Sequence, residues 1–428
     1  FIFGNLLDRE KGGHFYIKPD AENFTSRQYY LTNTVILCTE FECPDGRFRV
    51  IDFAPRFHQY ERHFKPLKLV RIIEPLEGHP KIRVSCKPVG DYGRIHPQAF
   101  IGSNHIQFLG LEHPLRLTTD IPQSYIMSER PVILDKTSYC VFAYGIPLEA
   151  PLKYTAEDFF SKTKAYWHDW VNSAAISGLY QEQVIRSALT LKIHQFEDTG
   201  AIIASGTTSL PESPGDGRNW DYRFCWMRDS YYTLRALNNM GHFEELVNYS
   251  HFIQNVAVIQ GDKYQPLYSI TGNEMDTVES ELDLEGYLGN KPVRIGNQAH
   301  EHVQNDVYGQ VLVSLLPLFT DARFEEKDEM LALKNTSELM RHISEKIEDA
   351  DAGLWEFRNK KQKHCYTFLF HWAGSNAAAK IYKYFGQIEE AKNFLKNNVT
   401  FLEHGGQTII DFRAWNAKSI YFQDNNGN

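Results

Sequence analysis

The chain has 428 residues, of which 42% are hydrophobic and 23% charged, and a net charge of −9. That is globular composition with room for two domains, each with its own core, and it excludes disorder as the default state. No lysine or arginine run breaks the acidic balance, the densest basic stretch being the short Arg358 to Lys363 segment, so a nucleic-acid surface is excluded as well and a neutral or small ligand fits better.

Along the chain, residues from about Arg27 to Ala150 read as β: short branched and aromatic runs separated by turn signals. Strands are expected over Tyr29 to Phe41, Phe48 to Phe53, Leu67 to Ile73, Lys81 to Lys87, Gln107 to Leu111 and Tyr139 to Tyr144. Many short strands at close spacing point to an antiparallel sandwich. After Pro151 the pattern turns helical, and Thr155-Ala156-Glu157-Asp158 resembles a capping box ahead of Phe159, Phe160 and the Trp167 to Trp170 segment. This predicts a helix linking two domains.

Seven stretches with helical apolar spacing follow: Gln181 to Phe196, Asp229 to Met240, Glu244 to Val258, Gln304 to Phe319, Glu325 to Ile347, Thr367 to Phe385 and Ile388 to Leu402. An α/α toroid and a helical bundle both satisfy that pattern. The connection from Gly200 to Trp226 exceeds the roughly 12 to 15 residues beyond which loops in compact domains are functional or disordered, and its Trp, Tyr and Pro content speaks against disorder.

Aromatic residues make up 14% of the chain, with 23 Tyr and 7 Trp. They are the side chains that cover the apolar face of a sugar ring, and equally the ones that fill ordinary cores. The six cysteines, Cys38, Cys43, Cys86, Cys140, Cys225 and Cys365, form no C-x-x-C pair, so free and mostly buried thiols are expected, with neither a structural zinc site nor a disulfide framework. No apolar run approaches the roughly 18 residues of a membrane helix, so no membrane partner is expected. The chain opens at Phe1 without a signal-like stretch and ends in Gln423 to Asn428 directly after a patterned segment, from which a sequence cut at both ends is expected. Cytoplasmic placement is the expectation; oligomeric state is not legible.

Three clusters carry chemistry. The first is Gly206-Thr207-Thr208-Ser209-Leu210-Pro211-Glu212, continued by Arg218-Asn219-Trp220-Asp221-Tyr222-Arg223-Phe224-Cys225-Trp226-Met227-Arg228-Asp229. Guanidinium, carboxylate, amide and indole groups packed into one loop before a helix can hold sugar hydroxyls against an aromatic wall; an ion pair with a helix cap at Asp229 would use the same residues. The second runs from Arg294-Ile295-Gly296-Asn297-Gln298-Ala299 to Gln304-Asn305-Asp306-Val307-Tyr308-Gly309, where Gln304 and Asp306 are either pocket residues or caps. His300 and His302 lack a spaced carboxylate for a metal site and are expected to face solvent. The third is Gly353-Leu354-Trp355-Glu356-Phe357-Arg358 with Tyr366 to Trp372. Acetal cleavage needs a carboxyl that stays protonated, and burial beside an indole moves a glutamate in that direction, which draws attention to the Trp355-Glu356 pair.

Thr-Thr-Ser-Leu-Pro-Glu followed by Arg-Asn-Trp-Asp-Tyr-Arg-x-Cys-Trp-x-Arg-Asp is similar to the signature of the bacterial and archaeal branch of glycoside hydrolase family 15, the glucoamylase and trehalase group. Leu6 to Phe15 and Asp52-Phe53-Ala54-Pro55-Arg56 resemble the same family's leading β-sandwich, so the resemblance covers nearly the whole chain. It implies a multidomain β and α fold: a β-sandwich over 1–150, a linker helix over 151–178 and an (α/α)6 barrel catalytic domain over 179–428, with the barrel incomplete here. It implies Glu356 as general acid, and substrate contacts from Trp220, Tyr222, Trp226, Arg228, Asp229, Gln304, Asp306, Trp355 and Arg358. An α-glucoside is the implied partner, with no metal and no cofactor.

An inverting mechanism also requires a second carboxylate roughly 6.5 to 9.5 Å from the acid, and none of Glu403, Asp411 or Asp424 stands in a matching context. The leading expectation is an exo-acting α-glucosidase of glucoamylase type. The alternatives are a trehalase, an inverting disaccharide phosphorylase and a non-catalytic sugar-binding relative.

Overall fold

A computed structural model of the chain describes residues 1–260, 264–272, 278–324 and 328–395, with the backbone only for 257–260. The residues fall into two units interleaved along the sequence. One holds Phe1–Thr190, Ser209–Asn219 and Glu281–Val293; the other holds Leu191–Thr208, Trp220–Ser280 and the chain from Arg294 onward.

The first unit is built from β1 (His14–Pro19), β2 (Thr25–Tyr30), β3 (Leu37–Cys43), β4 (Gly46–Phe53), β5 (Phe57–Gln59), β6 (Arg62–Phe64), β7 (Lys68–Gly78), β8 (Lys81–Lys87), β9 (Gln98–Ile101), β10 (His105–Leu109), β11 (Leu115–Thr119), helix α1 (Gln123–Met127), β12 (Val132–Ile133), β13 (Ser138–Tyr144) and helix α2 (Leu152–Asn172). Strands β2-β3-β4-β7-β13-β11-β10-β9 form an eight-stranded sheet and β1-β8-β12 a three-stranded one, with antiparallel pairing throughout.

Alternation of side chains along each strand assigns the faces. Val50, Ile73, Cys140 and Phe142 point into one core together with Ile17, Ile82 and Val84 of the smaller sheet. Their neighbours Ile51, Ile72, Tyr139 and Val141 point the other way, onto Ala156 and Phe159 of α2. The centre of the large sheet is therefore buried on both faces, which explains why β13 is apolar at nearly every position, while the edge strands β2 and β9 are largely exposed.

Three expectations change here. The run from Tyr29 to Phe41 is two strands, because Asn33 adopts φ 57° and the Thr34 hydroxyl donates to the Leu31 carbonyl, closing a turn. Strands β1, β9, β11 and β12 carry too weak an alternation to be read from the sequence. Helix α2 starts at Leu152, one turn ahead of the capping-box-like tetrad; Thr155 lies inside it and bonds back to the Pro151 carbonyl.

The second unit carries α3 (Gln181–Ile193) from Leu191 onward, then α4 (Met227–Asn239), α5 (Glu244–Gln260), α6 (Asp306–Leu315), α7 (Pro317–Thr320), α8 (Glu329–Lys346) and α9 (Cys365–Tyr384). Leu234, Phe252, Val311, Ile343 and Ala378 supply one core from five of these helices. Helices α6 and α9 touch backbone to backbone: a Cβ on Gly374 would stand 2.8 Å from the Gly309 Cα, and one on Gly309 would meet the Phe370 carbonyl. The expected single helix from Gln304 to Phe319 breaks at Pro317, whose ring is tolerated only in a first turn. The expected helix from Ile388 to Leu402 lies partly, and the Thr408 to Asn428 segment wholly, outside the described residues.

Fully buried Lys192 anchors the start of this unit. Its Nζ lies 2.8 Å from Glu245 and 3.4 Å from Glu197, while Gln195 Nε2 donates to the Glu245 carbonyl at 2.8 Å. The arrangement is thus an N-terminal β-rich region with antiparallel sheets followed by a helical part. Among the described residues no helix is long and apolar enough to cross a membrane.

Candidate active site

Glu356 sits in the long connection between α8 and α9, residues 347–364, at φ 54°, in the left-handed region that non-glycine residues rarely adopt. The loop holds this geometry because of Asp351, a buried carboxylate. Its Oδ2 accepts from the Asn305 amide and the Thr367 hydroxyl, each at 2.9 Å, and its Oδ1 accepts from the Gly353 amide at 3.1 Å. The Ala352 amide donates to the Val303 carbonyl at 2.9 Å, so residues 303–305, the loop carrying Glu356 and the start of α9 are joined.

Three donors converge on one oxygen of Glu356. Oε1 accepts from Trp226 Nε1 at 2.8 Å, Arg228 Nη2 at 3.2 Å and Gln304 Nε2 at 3.2 Å. With Oε1 committed as an acceptor, a proton carried by this carboxyl belongs on Oε2. Each of the three sequence clusters contributes to this point: the first gives Trp226 and Arg228, the second Gln304, the third Glu356.

Arg228 lies beside Asp229 as well, at 3.6 Å from Oδ2, and its guanidinium is held charged: burial opposes the charge, but Glu356, Asp229 and Asp306 more than offset it. Burial raises the Asp229 carboxyl, as does the nearby Glu356, and Oδ2 has no hydrogen-bond donor among the described residues. Asp306, fully buried at the start of α6, takes Gln310 Nε2 on Oδ2 at 2.5 Å, while Oδ1 has no hydrogen-bond partner among the described residues. Burial, followed by the neighbouring Asp351, pushes its pKa up to about 7. Tyr366 extends the group, its hydroxyl 3.3 Å from Gln310 Nε2 and 3.4 Å from the Tyr232 hydroxyl.

A second convergence lies around Trp220. The Arg294 and Arg358 guanidinium carbons stand 4.5 and 4.0 Å from its ring centroid, and Glu279 binds both arginines, Arg358 at 2.7 Å and Arg294 at 3.6 Å. These two cations already occupy the ring. Asp221 stitches the first two clusters together: it takes Arg223 at 2.8 Å and the Gly296 amide at 3.2 Å, and its carbonyl accepts from Asn297 Nδ2 at 3.1 Å.

Some expected residues land elsewhere. Trp355 is 72% exposed, so the indole that meets Glu356 is Trp226 rather than the sequence neighbour; the left-handed turn at Glu356 sends adjacent side chains apart. Trp226 is itself buried and packs on Tyr222, with ring centroids 5.6 Å apart. His300 and His302 do not face solvent: His300 is largely buried with Nδ1 2.9 Å from the Asn297 carbonyl, and His302 is half-buried. Glu279 and Asp351 were not anticipated. Each is one carboxylate in an acidic stretch, with no signal beyond that.

A carboxyl with one oxygen fixed by indole, guanidinium and amide, flanked by an arginine, the partly exposed Asp229 and the buried Asp306, can give a proton to a departing oxygen while its neighbours hold hydroxyls. That is the equipment of an enzyme acting on sugars. A family model, Glycosyl hydrolases family 15, matches residues 178–427, and a second, Trehalase-like, N-terminal, matches residues 1–131. The chain belongs to glycosyl hydrolases family 15, and is thus a glycoside hydrolase acting on carbohydrate. A trehalase of Thermoplasma acidophilum is 31% identical across 96% of this chain and 73% of its own length; one of Thermoplasma volcanium is 31% identical across 90% and 62%. A trehalase of Mycobacterium tuberculosis is 29% identical across 94% and 64%. The chain thus spans about two thirds of the length of these relatives. A bacterial glucoamylase solved with acarbose shares the fold, with a TM-score of 0.61 at 14% identity over 91% of this chain and 61% of that one.

Proposed function

We propose that this protein is a trehalase, hydrolysing the linkage between two glucose units with Glu356 as general acid. The observation that carries the reading is the 31% identity to a trehalase across 96% of the chain. It reverses the ranking drawn from the sequence, in which a glucoamylase-type α-glucosidase came first: the likeness to a glucoamylase concerns the fold alone. In this reading Arg228 and Asp229 hold hydroxyls of the glucose whose bond is cleaved, with Asp306 behind them. Trp226, Tyr222 and Gln304 keep the acid oriented, and Glu356 delivers its proton from Oε2. Trp220 and Arg358 form the outer wall with Trp355 at its rim.

We take residues 1–150 as a sandwich domain, 151–178 as a linker and 179–428 as part of an (α/α)6 barrel. The inverting reaction also needs a carboxylate that activates water, and we assign that role to none of the described residues. The test is incubation with trehalose, maltose and isomaltose, with and without phosphate, following the released anomer by proton NMR. β-Glucose from trehalose without phosphate supports the reading. Preference for maltose restores the glucoamylase reading, sugar phosphate formed only with phosphate indicates a phosphorylase, and binding without turnover a non-catalytic relative.

A further inference from the structure

Asn305 is gripped through both of its backbone polar groups. Its carbonyl lies 3.0 Å from Nε2 of His371 on α9, and its amide donates at 2.9 Å to Asp351, the carboxylate that also takes the Thr367 hydroxyl. Thr367 and His371 are four residues apart, hence on one face of that helix. The approach is close because α6 and α9 meet at Gly309 and Gly374, within about a turn of Asn305 and His371, where a side chain on either glycine would collide with the facing helix.

A carbonyl only accepts, so Nε2 of His371 carries the ring proton. The ring is fully buried and stays neutral, burial holding its pKa down to about 4. His371 is thus a fixed donor. What it fixes follows from the chain: the bonds from Asp351 and His371 hold the peptide planes before and after Asn305, and with both planes held the backbone at Asn305 cannot turn. Gln304, buried and one position earlier, sends its side-chain amide to Oε1 of Glu356 at 3.2 Å.

We propose that His371 is a positioning residue for the general acid, keeping the Gln304 amide on Oε1 of Glu356 by holding Asn305. The proposal rests on the reading of Glu356 as the acid. His371 acts through Gln304 and not on the sugar, and its effect falls on proton delivery, which small misplacements of the acid impair.

The test measures kcat and KM of the purified protein, His371→Leu, His371→Gln and His371→Asn on trehalose and on α-glucosyl fluoride, whose fluoride departs with little help from an acid. Glu356→Gln, which should lose far more on trehalose than on the fluoride, sets the scale. His371→Leu is expected to lose about tenfold in kcat on trehalose, the worth of one hydrogen bond to the acid, with KM and turnover of the fluoride within about twofold of the parent. The Gln variant, whose amide nitrogen reaches the place of Nε2, should recover most of the loss. Combined with Gln304→Ala, His371→Leu should add little to the loss from Gln304→Ala alone, because both act on one contact. Equal losses on the two substrates, no loss on trehalose, or losses that multiply in the double variant overturn the proposal, since loosened packing alone would produce them. If His371→Leu does not fold, Gln outperforming the shorter Asn on trehalose alone supports it, and identical behaviour overturns it. If the parent cleaves maltose and not trehalose, the trehalase reading fails alone and the same comparison on maltose decides the role of His371. If Glu356→Gln loses as much on the fluoride as on the disaccharide, or the parent cleaves neither disaccharide, the reading of the acid fails and the proposal falls with it.

Discussion

The indole N–H of Trp226 donates to Oε1 of Glu356 at 2.8 Å, across 130 positions of sequence. Trp226 is almost fully buried against Tyr222 and Phe224, so this donor is fixed before any substrate arrives. Replacing Trp226 with Phe keeps an aromatic ring and removes the donor. A loss of about tenfold in kcat is expected, the worth of one hydrogen bond to a charged or reacting group. Steady-state kinetics on trehalose checks it; an unchanged kcat would separate Trp226 from the acid's orientation.

Glu356→Gln should cut turnover by about a hundred- to ten-thousand-fold, the range for loss of a general acid. Thermal unfolding of the variant should stay close to that of the parent, because the amide oxygen still accepts from Trp226, Arg228 and Gln304. A large drop in melting temperature with the activity loss would assign Glu356 a structural part instead.

Trp355 and Trp226 flank the site in sequence alike but differ in exposure, so Trp355→Ala should change stability by no more than about 0.5 kcal/mol, the range of exposed positions. Denaturant unfolding of this variant beside Trp226→Ala, expected to cost about 3 to 5 kcal/mol as a buried aromatic, measures the contrast.

Asp306 gives a pH dependence with a definite sign. Its carboxyl is raised from 3.8 to about 7 in the folded protein, so its contribution to stability is fully present below about pH 3.8 and is lost as pH rises through about 7. Asp306→Asn removes that loss. The stability of the variant relative to the parent should therefore increase between pH 4 and pH 7, by at most about 1.4 kcal/mol per pH unit. Urea unfolding of both proteins at several pH values tests this, and a difference that stays flat would show that the carboxyl is not neutralised by burial.

Lys192 neutralises two buried carboxylates, Glu245 and Glu197, with almost no contact with water. Lys192→Met leaves both without a counter-charge and should destabilise the protein by about 3 to 5 kcal/mol. Calorimetry against the parent reads the effect. Because none of Lys192, Glu197 and Glu245 is assigned to chemistry, kcat of the protein that remains folded should not follow stability down.

The three clusters were legible because each concentrates side chains that a core seldom collects: Arg228 with Asp229, Gln304 with Asp306, Glu356 after Gly353. Their convergence was not, since it depends on single carboxylates such as Asp351 and Glu279 whose partners lie far along the chain. Adjacency misled at Trp355, where a left-handed backbone separates neighbours, and at His302, whose position between Ala299 and Gln304 buries it. In the β region, the alternating β4 and the continuous branched and aromatic run of β13 could be read, whereas β12 with two residues offered no pattern. Pro317 was a visible stop signal, overridden by the apolar spacing that continues beyond it.

Asp351 reaches Asn305, Gly353 and Thr367 with one carboxylate. The donors at 305 and 353 are backbone amides, which any residue but proline supplies, whereas Thr367 gives a side-chain hydroxyl. A chimera of related genes joined between 305 and 351 therefore keeps the amide bonds, while one joined between 351 and 367 can part the carboxylate from its hydroxyl, so Asp351 and Thr367 are the two positions that should be inherited together.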